Sequence, residues 1–115
     1  MLPVPISREN APHYVWGDNC NGWHLLPESN LSVIEERMPP GASEVRHFHR
    51  NAQQFFFILS GQAVMETNSE RILLLAGQGV AAPPRTRHQF RNHCEESVRL
   101  LVISQPSSYG DRVTQ

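Results

Sequence analysis

The first feature that suggests chemistry is a pair of histidines separated by one residue, in the run His47-Phe48-His49. Successive residues of a β-strand point to opposite faces, so both imidazoles would lie on one face with their rings adjacent. Two imidazoles in that arrangement can bind one metal ion, each at about 2.0–2.2 Å. A solvated pair at a sheet edge has the same spacing, so these two residues alone leave both interpretations open.

A third histidine favours the metal interpretation. His88 follows the turn Pro83-Pro84 and begins a strand-like run in which His88, Phe90 and Asn92 share a face. If this run lies beside the first, the three histidines converge on one interior point. Buried imidazoles are costly unless they are hydrogen-bonded or bind a ligand. The sequence therefore predicts a tri-histidine metal site with open coordination positions.

The elements that must position these histidines are short strands separated by turn residues. Runs at spacings near ten residues, without a sustained helical period, predict an all-β fold, either an antiparallel sandwich or a barrel. The predicted strands are Leu31–Met38, Glu44–His49, Gln53–Leu59, Ala63–Thr67, Arg71–Leu75, Gly79–Ala82, Arg87–Asn92 and Ser97–Ser104.

A chain of 115 residues with a net charge of -1 fits one domain. We expect residues 1–30 to form an irregular arm that packs on the barrel through its tryptophans. Residues 31–105 would form the barrel, and residues 106–115 a polar, loop-like tail. Two of the predicted strands, Gln53–Leu59 and Val98–Ile103, are apolar on both faces, which suits a homodimer in which a second subunit covers the outer face.

Composition excludes several classes of protein. All ten basic residues are arginines, so no lysine is available for a Schiff base, a pyridoxal phosphate anchor or a P-loop. The charges are balanced and mixed, which indicates no nucleic-acid partner, and no apolar run is long enough for a membrane span. Cys20 and Cys94 have no metal-binding or redox spacing. We expect them to be reduced thiols of a cytoplasmic protein, since no secretion signal is visible.

Two longer patterns around the histidines resemble the two motifs of the cupin superfamily. The first is Gly41-x5-His47-x-His49-x4-Gln54-x6-Gly61, and the second is Gly77-x5-Pro83-x-Arg85-x2-His88-x3-Asn92. The motifs cover residues 41–92, and the flanking strands extend the resemblance to about 31–104. The chain departs from the family at two positions, since the family usually has glutamate where Gln54 stands and glycine where Arg85 stands.

The resemblance implies a double-stranded antiparallel β-barrel of the jelly-roll-like cupin type with a divalent transition metal near its centre. His47, His49 and His88 would be metal ligands, and Gln54 would either be a fourth ligand through its amide oxygen or hydrogen-bond a histidine or a bound water. Such a donor set suits Fe, Ni, Mn or Zn, and spacing does not choose among them. A neutral amide would leave the ion more Lewis acidic and less tightly held, and it cannot act as a general base. Arg85 in place of glycine implies either a turn without a positive-φ residue at that position or a strained turn. Its side chain would either be solvated, which we favour, or point to the barrel mouth.

The leading functional hypothesis is a metal-dependent enzyme, of the oxygenase type, that acts on a small chelating or enol-type molecule. A sugar or sugar-phosphate isomerase is the alternative, and its base would have to come from Glu35 or a metal hydroxide. Glu35 and Arg37 share a face of the first predicted strand and would either line the cavity or form a cross-strand ion pair. A non-catalytic, metal-assisted binding protein for a small ligand is the third hypothesis. The sequence assigns no catalytic residue.

Overall fold

The computed structural model describes residues 3–114, which form eleven strands and, within that range, no helix. None of the described elements is therefore a helix that could cross a membrane. The prediction of an all-β fold is confirmed. The strands are β1 (His13–Trp16), β2 (Cys20–Pro27), β3 (Ser32–Met38), β4 (His47–His49), β5 (Gln53–Ser60), β6 (Gln62–Glu66), β7 (Arg71–Leu75), β8 (Gly79–Ala82), β9 (Gln89–Arg91), β10 (Val98–Gln105) and β11 (Arg112–Thr114).

The strands form two facing antiparallel layers. The larger sheet has the order β1-β2-β3-β10-β5-β8. The smaller layer has the order β7-β6-β9 and continues through the isolated pairs Ser43–Arg91 and His47–His88 to β4, which pairs with β11. Phe56 of the larger sheet meets Phe90 of the smaller layer with ring centroids 4.7 Å apart. The core between the layers also includes Met38, Ile58, Ala63, Met65, Leu74, Val98, Leu100 and Val102.

Two of the predicted strands, β7 and β8, have the bounds expected from the sequence, and two others are half as long as expected. Only His47–His49 and Gln89–Arg91 form continuous ladders, where the sequence predicted Glu44–His49 and Arg87–Asn92. The residues beside these ladders pair through single bridges instead. The expectation of free thiols is confirmed, with Cys20 buried and Cys94 half-buried.

The prediction of an irregular N-terminal arm is wrong for residues 13–27. They form the hairpin β1–β2, which adds to the edge of β3 and extends the larger sheet. The prolines and glycines that suggested irregularity fall mainly at its ends: Pro12 precedes β1, Gly17 lies in the turn, and Pro27 ends β2. Gly22 lies inside β2, and the position requires glycine because a Cβ there would overlap the ring of Tyr14 on β1.

The prediction of a loop-like tail is wrong for residues 112–114, which form β11 against β4. This pairing joins segments that are more than sixty residues apart in the sequence, so no local sequence pattern predicts it. Asp111 fixes the tail just before the strand. Its carboxylate accepts hydrogen bonds from the backbone N–H groups of Arg50, Asn51 and Ala52 at 3.2, 2.9 and 2.9 Å. The tail is therefore attached to the loop between β4 and β5.

Asp111→Asn should weaken this attachment, because the amide keeps the shape of the carboxylate but loses its charge. We expect the free energy of unfolding at pH 7 to fall by about 1–2 kcal/mol, since hydrogen bonds to a charged group are stronger than those to a neutral one. The three amides hold the pKa of Asp111 below its usual range although burial opposes them. The difference between wild type and variant should therefore be present near neutral pH and disappear as the pH falls through the lowered pKa.

Chemical denaturation at pH 7 and at pH 3 measures both effects. Asp18→Asn, in the exposed turn between β1 and β2, is the matched control and should change the stability little. Equal stability of wild type and Asp111→Asn at pH 7 would contradict the anchoring role.

Candidate metal centre

The three predicted histidines meet between the two layers. His47 and His88 lie directly opposite each other, and each donates its backbone N–H to the carbonyl of the other at 3.1 and 2.9 Å. Side chains of such a pair project to the same face, and His49 shares that face with His47 because it is two residues further along β4. All three are buried, and their ligand nitrogens lie within 4.8 Å of one another. The predicted convergence is confirmed.

Backbone carbonyls orient two of the three rings. Nδ1 of His47 lies 2.7 Å from the carbonyl of Val45, and Nδ1 of His88 lies 2.9 Å from that of Thr86. A carbonyl only accepts, so each Nδ1 carries the hydrogen and each Nε2 keeps its lone pair. Nε2 of His88 and Nδ1 of His49 are buried without a hydrogen-bond partner in the described chain. Nitrogen lone pairs that the protein leaves unsatisfied fit a metal ion.

The environment keeps the histidines uncharged. Burial lowers the pKa of His47 to about 3 and that of His49 to about 4, with the other histidines and Arg112 adding to the effect. Burial likewise lowers the pKa of His88. At neutral pH all three rings are neutral, which is the form that binds a divalent cation without first releasing a proton.

Gln54 faces the histidines from the larger sheet. It is buried on β5, and its Nε2 donates to the Ser104 hydroxyl at 3.1 Å on the neighbouring strand β10. Its Oε1 is buried with no partner among the described residues, and the side chain lines the cavity that His47 and His49 also line. Since the only donor group of the amide is directed to Ser104, the oxygen faces the site as an unsatisfied acceptor. The arrangement fits a fourth oxygen donor.

The cavity has a volume of about 290 Å³ and contains two carboxyl groups that sequence reasoning missed, Glu36 and Glu44. The sequence analysis named Glu35 as a possible cavity residue, and that alternative is wrong. Glu35 points to the other face of β3, where Arg8 and Arg99 bind it at 3.1 and 3.0 Å. The alternative, a cross-strand ion pair of Glu35, is therefore confirmed, but the partner is Arg99 on β10 and not Arg37.

A signal for Glu36 is present in the sequence. Glu36 alternates with Ile34 and Met38 on β3, and an apolar residue on either side at a spacing of two indicates the inner face. Glu44 lies outside any ladder and has no comparable signal.

Both carboxyl groups favour the protonated form more than free carboxyls do. Burial raises the pKa of Glu36 to about 7, although a hydrogen bond from the Tyr14 hydroxyl at 3.4 Å opposes the shift. Burial, with the nearby charge of Glu36, raises the pKa of Glu44 to about 8. The backbone N–H of Phe90 donates to Glu44 Oε1 at 3.0 Å and opposes this shift.

The tail contributes the cavity's arginine. Ser108, Gly110 and Arg112 line the cavity, and Arg112 donates to the carbonyl of Val45 at 3.2 Å, the same carbonyl that orients His47. Arg85, which the sequence suggested for the barrel mouth, lines a separate groove with Phe48 and Arg87. Phe48 alternates with the two histidines of β4, so that groove lies on the outer face. Arg85 does occupy a left-handed backbone conformation, with φ of 65°, as the strained-turn alternative predicted.

Comparison with known proteins gives the family. A family model described as the Cupin domain matches residues 34–104. Quercetin 2,3-dioxygenase of Bacillus subtilis is 30% identical over 77 residues, 65% of this chain and 23% of that protein. Polyketide synthase CurC of Streptomyces cyaneus is 30% identical over 69 residues, 60% of this chain and 45% of that protein. The chain spans 60% or less of the length of each curated relative it matches.

Solved structures share the architecture. A sugar phosphate isomerase of the cupin superfamily from Silicibacter pomeroyi superposes with a TM-score of 0.80 at 21% identity, covering 90% of this chain and 76% of that one. At this level of identity the likeness concerns the fold. The match of the family model to most of the chain, together with two facing sheets of the double-stranded β-helix type, shows that this protein belongs to the cupin domain family.

Proposed function

We propose that this protein is a metal-dependent enzyme acting on a small organic molecule that binds through oxygen atoms. The observation that carries the proposal is a cluster of possible metal ligands between the layers. The ligand nitrogens of three neutral, buried histidines lie within 4.8 Å of one another, and the unpartnered oxygen of Gln54 belongs to a side chain that lines the same cavity as His47 and His49. Burying a ring nitrogen of His49, a ring nitrogen of His88 and the oxygen of Gln54 without partners lowers stability unless a ligand satisfies them. His47, His49 and His88 would hold a divalent transition metal, Fe, Ni, Mn or Zn, with Gln54 as fourth ligand.

The metal, when bound, would supply a Lewis acid that polarises substrate oxygen atoms and, with a redox-active ion, a site for dioxygen. The protein's own residues have separate tasks. The carbonyls of Val45 and Thr86 hold the rings of His47 and His88 in one orientation. Gln54 adds no negative charge to the site. A bound cation would therefore polarise substrate oxygen atoms more strongly than it would with a carboxylate ligand at this position.

Oxygenation of an enol-type or chelating substrate is the leading version of this proposal. The quercetin dioxygenase of Bacillus subtilis is a relative that acts in this chemical class, although the match covers only 23% of its length. Isomerisation of a sugar or sugar phosphate is the second version. A specific observation favours it, because Glu36 and Glu44 line the cavity and provide the carboxyl groups that Gln54 does not. A non-catalytic binding protein would shift its melting temperature with a ligand and leave that ligand unchanged.

Elemental analysis of untagged protein, purified without chelators, should find about one transition-metal ion per chain, the stoichiometry of a single four-ligand site. His49→Ala should lose most of that metal, because one of three nitrogen donors is removed. His93→Ala, outside the cavity, is the matched control and should keep it. Absence of metal from wild type, even after incubation with Fe, Ni, Mn and Zn salts, would contradict the proposal.

The same metal-loaded samples separate the versions of the function. Oxygen consumption with a panel of diketones, flavonols, thiols and catechols tests oxygenation, and NMR detection of aldose–ketose interconversion tests isomerisation. Lack of oxygen uptake with every member of the panel would remove the support for oxygenation.

Gln54→Glu should tighten metal binding, because a carboxylate oxygen replaces a neutral one opposite a divalent cation. We expect the dissociation constant for Ni²⁺ or Zn²⁺ to fall by about tenfold or more, within the range seen when groups around a metal are altered. Gln53→Glu is the control, since Gln53 precedes it on β5 and is exposed. Equal affinities of wild type and Gln54→Glu in a competition titration with a chelator would show that position 54 does not contact the metal.

We also propose that the protein is a homodimer formed through the outer face of β5 and β10. Phe55, Phe57 and Leu59 lie on that face, beside Leu101 and Ile103 of the neighbouring strand. Phe55 is 40% and Leu59 36% exposed, and the rings of Phe55 and Phe57 stack at 6.5 Å. Apolar surface of this extent on a sheet is typical of an interaction site.

Light scattering coupled to size exclusion should give about twice the chain mass of 13.1 kDa. Phe55→Glu should shift the protein to the monomer, because a dimer would bury the new charge. Leu73→Glu is the control, since Leu73 is 55% exposed on β7 of the other layer. A wild-type protein of monomer mass at high concentration would contradict this proposal.

A further inference from the structure

A row of three residues across adjacent strands fixes the first cavity carboxyl. Tyr14 on β1 pairs with Gly22 on β2, which pairs with Glu36 on β3, so the three lie side by side. Gly22 has no side chain, and the ring of Tyr14 occupies the space that a Cβ would take. The tyrosine therefore extends over the glycine, and its hydroxyl reaches Glu36 Oε2 at 3.4 Å.

The second cavity carboxyl is fixed from the other layer. The backbone N–H of Glu44 donates to the carbonyl of Phe90 at 3.0 Å, and the backbone N–H of Phe90 donates to Glu44 Oε1 at 3.0 Å. One residue thus holds both the backbone and the side chain of Glu44. Its second oxygen, Oε2, remains for the cavity. Glu36 and Glu44 project from opposite layers toward the same space.

These two carboxyl groups, which are half-buried, differ from the buried carboxylate of Glu35. Glu35 is bound by two arginines. No arginine or histidine nitrogen of the described residues lies within ion-pair distance of Glu36 or Glu44, and Arg112 acts on them only at longer range. Placing two uncompensated carboxyls in one partly desolvated cavity disfavours ionisation of both, and such arrangements concentrate at functional sites.

Other unsatisfied groups converge on the same cavity. Gln54 is 5% exposed and directs its unpartnered Oε1 there, and His49, 6% exposed, has an unpartnered Nδ1. The carboxyls therefore face a space that is built to receive a ligand. A substrate held at the histidines would lie between them and the two acids.

We propose that Glu36 and Glu44 are the general acid–base pair of this cavity, and that its substrate is a small enolisable carbonyl compound with a hydroxyl group on the adjacent carbon. This inference rests on the proposed metal-dependent function and names its proton-transfer groups. Tyr14 is a positioning residue, since it acts through Glu36.

The proposed step needs no oxidant. The charge of Glu36 disfavours ionisation of Glu44, so the proposed step starts with one carboxyl ionised and the other protonated. The ionised carboxylate takes the proton from the carbon beside the carbonyl. The C–H electron pair forms a C=C bond, and the carbonyl π pair moves to oxygen. The protonated carboxyl gives its proton to that oxygen, which completes an enediol. To finish an isomerisation, the second carboxyl, now ionised, takes the proton of the hydroxyl on the adjacent carbon, whose oxygen becomes the new carbonyl, and the first carboxyl returns its proton to the former carbonyl carbon. The same initial proton removal would prepare an enol for oxygenation.

Proton exchange tests the inference under argon, where oxygenation cannot occur. Protein loaded with Zn²⁺ is incubated with hydroxyacetone in D₂O, and loss of the methylene signal is followed by proton NMR. Wild type should exchange this hydrogen faster than Zn²⁺ in buffer. Glu36→Gln and Glu44→Gln should each slow the exchange by about 100-fold or more, the usual contribution of a general base. Glu35→Gln, on the same strand but the opposite face, is the matched control and should exchange within twofold of wild type.

A binding measurement gives a second readout that does not depend on turnover. Glycolohydroxamate resembles the enediol form of such a substrate, and its affinity for the Zn²⁺ protein should fall by about tenfold or more in Glu36→Gln and Glu44→Gln. Tyr14→Phe should keep most of the exchange activity but move the midpoint of its pH profile upward, because the lost hydrogen bond favoured the ionised form of Glu36.

The outcomes separate the two proposals. If wild type binds metal and the two glutamine variants exchange and bind the hydroxamate like wild type, the acid–base pair is overturned and the metal site stands. If wild type binds metal but exchanges no faster than free Zn²⁺, the pair and the substrate class are overturned. If no metal binds, the proposed function fails and this inference fails with it.

Discussion

The site depends on one backbone interaction, the reciprocal pairing of His47 and His88. Each donates its N–H to the other's carbonyl, and with the Ser43–Arg91 bridge this joins β4 to β9. The pairing has two consequences at once. It completes the smaller layer, and it sets both side chains on the inner face, because opposed residues of an antiparallel pair project the same way. A slip of one residue would turn a histidine toward the outer face and leave two donors instead of three.

That geometry makes the interior polar, and the polarity has a cost in stability. Between the layers, apolar contacts such as Phe56 against Phe90 directly adjoin a polar region formed by the histidines, Gln54 and two glutamates. Desolvation forces the polar groups toward their neutral forms, which is why the pKa values of the histidines fall and those of the glutamates rise. A neutral amide at position 54 fits this environment, because it adds a donor oxygen without adding a charge to bury.

The fold and the histidines were readable from the sequence, and much of the cavity was not. Strand alternation and turn residues predicted most strands, and the spacing of His47, His49 and His88 predicted their convergence. The sequence left open whether Glu35 lines the cavity or forms an ion pair, and the ion pair is what forms. Glu36 was missed although its alternation with Ile34 and Met38 indicates the inner face. The pairing of β11 with β4 and the position of Glu44 depend on contacts between residues distant in sequence, so no local pattern indicates them. The prolines and glycines near β1 and β2 suggested an irregular segment, although Gly22 provides the space that the ring of Tyr14 occupies in the hairpin.

These features would explain how a chain with glutamine in place of the usual glutamate could provide the proposed proton transfer. A glutamate ligand combines two roles, charge compensation at the metal and acid–base chemistry. Here the oxygen at position 54 is neutral, and the carboxyl groups stand on the other walls of the cavity, one reached by Tyr14 and one held by Phe90. A carboxyl that is not a metal ligand keeps its proton more readily, since no adjacent cation stabilises its ionised form. In the proposed site, separating the two roles would leave the charge of a bound cation for the substrate and would provide an acid with a pKa near neutrality to move the proton.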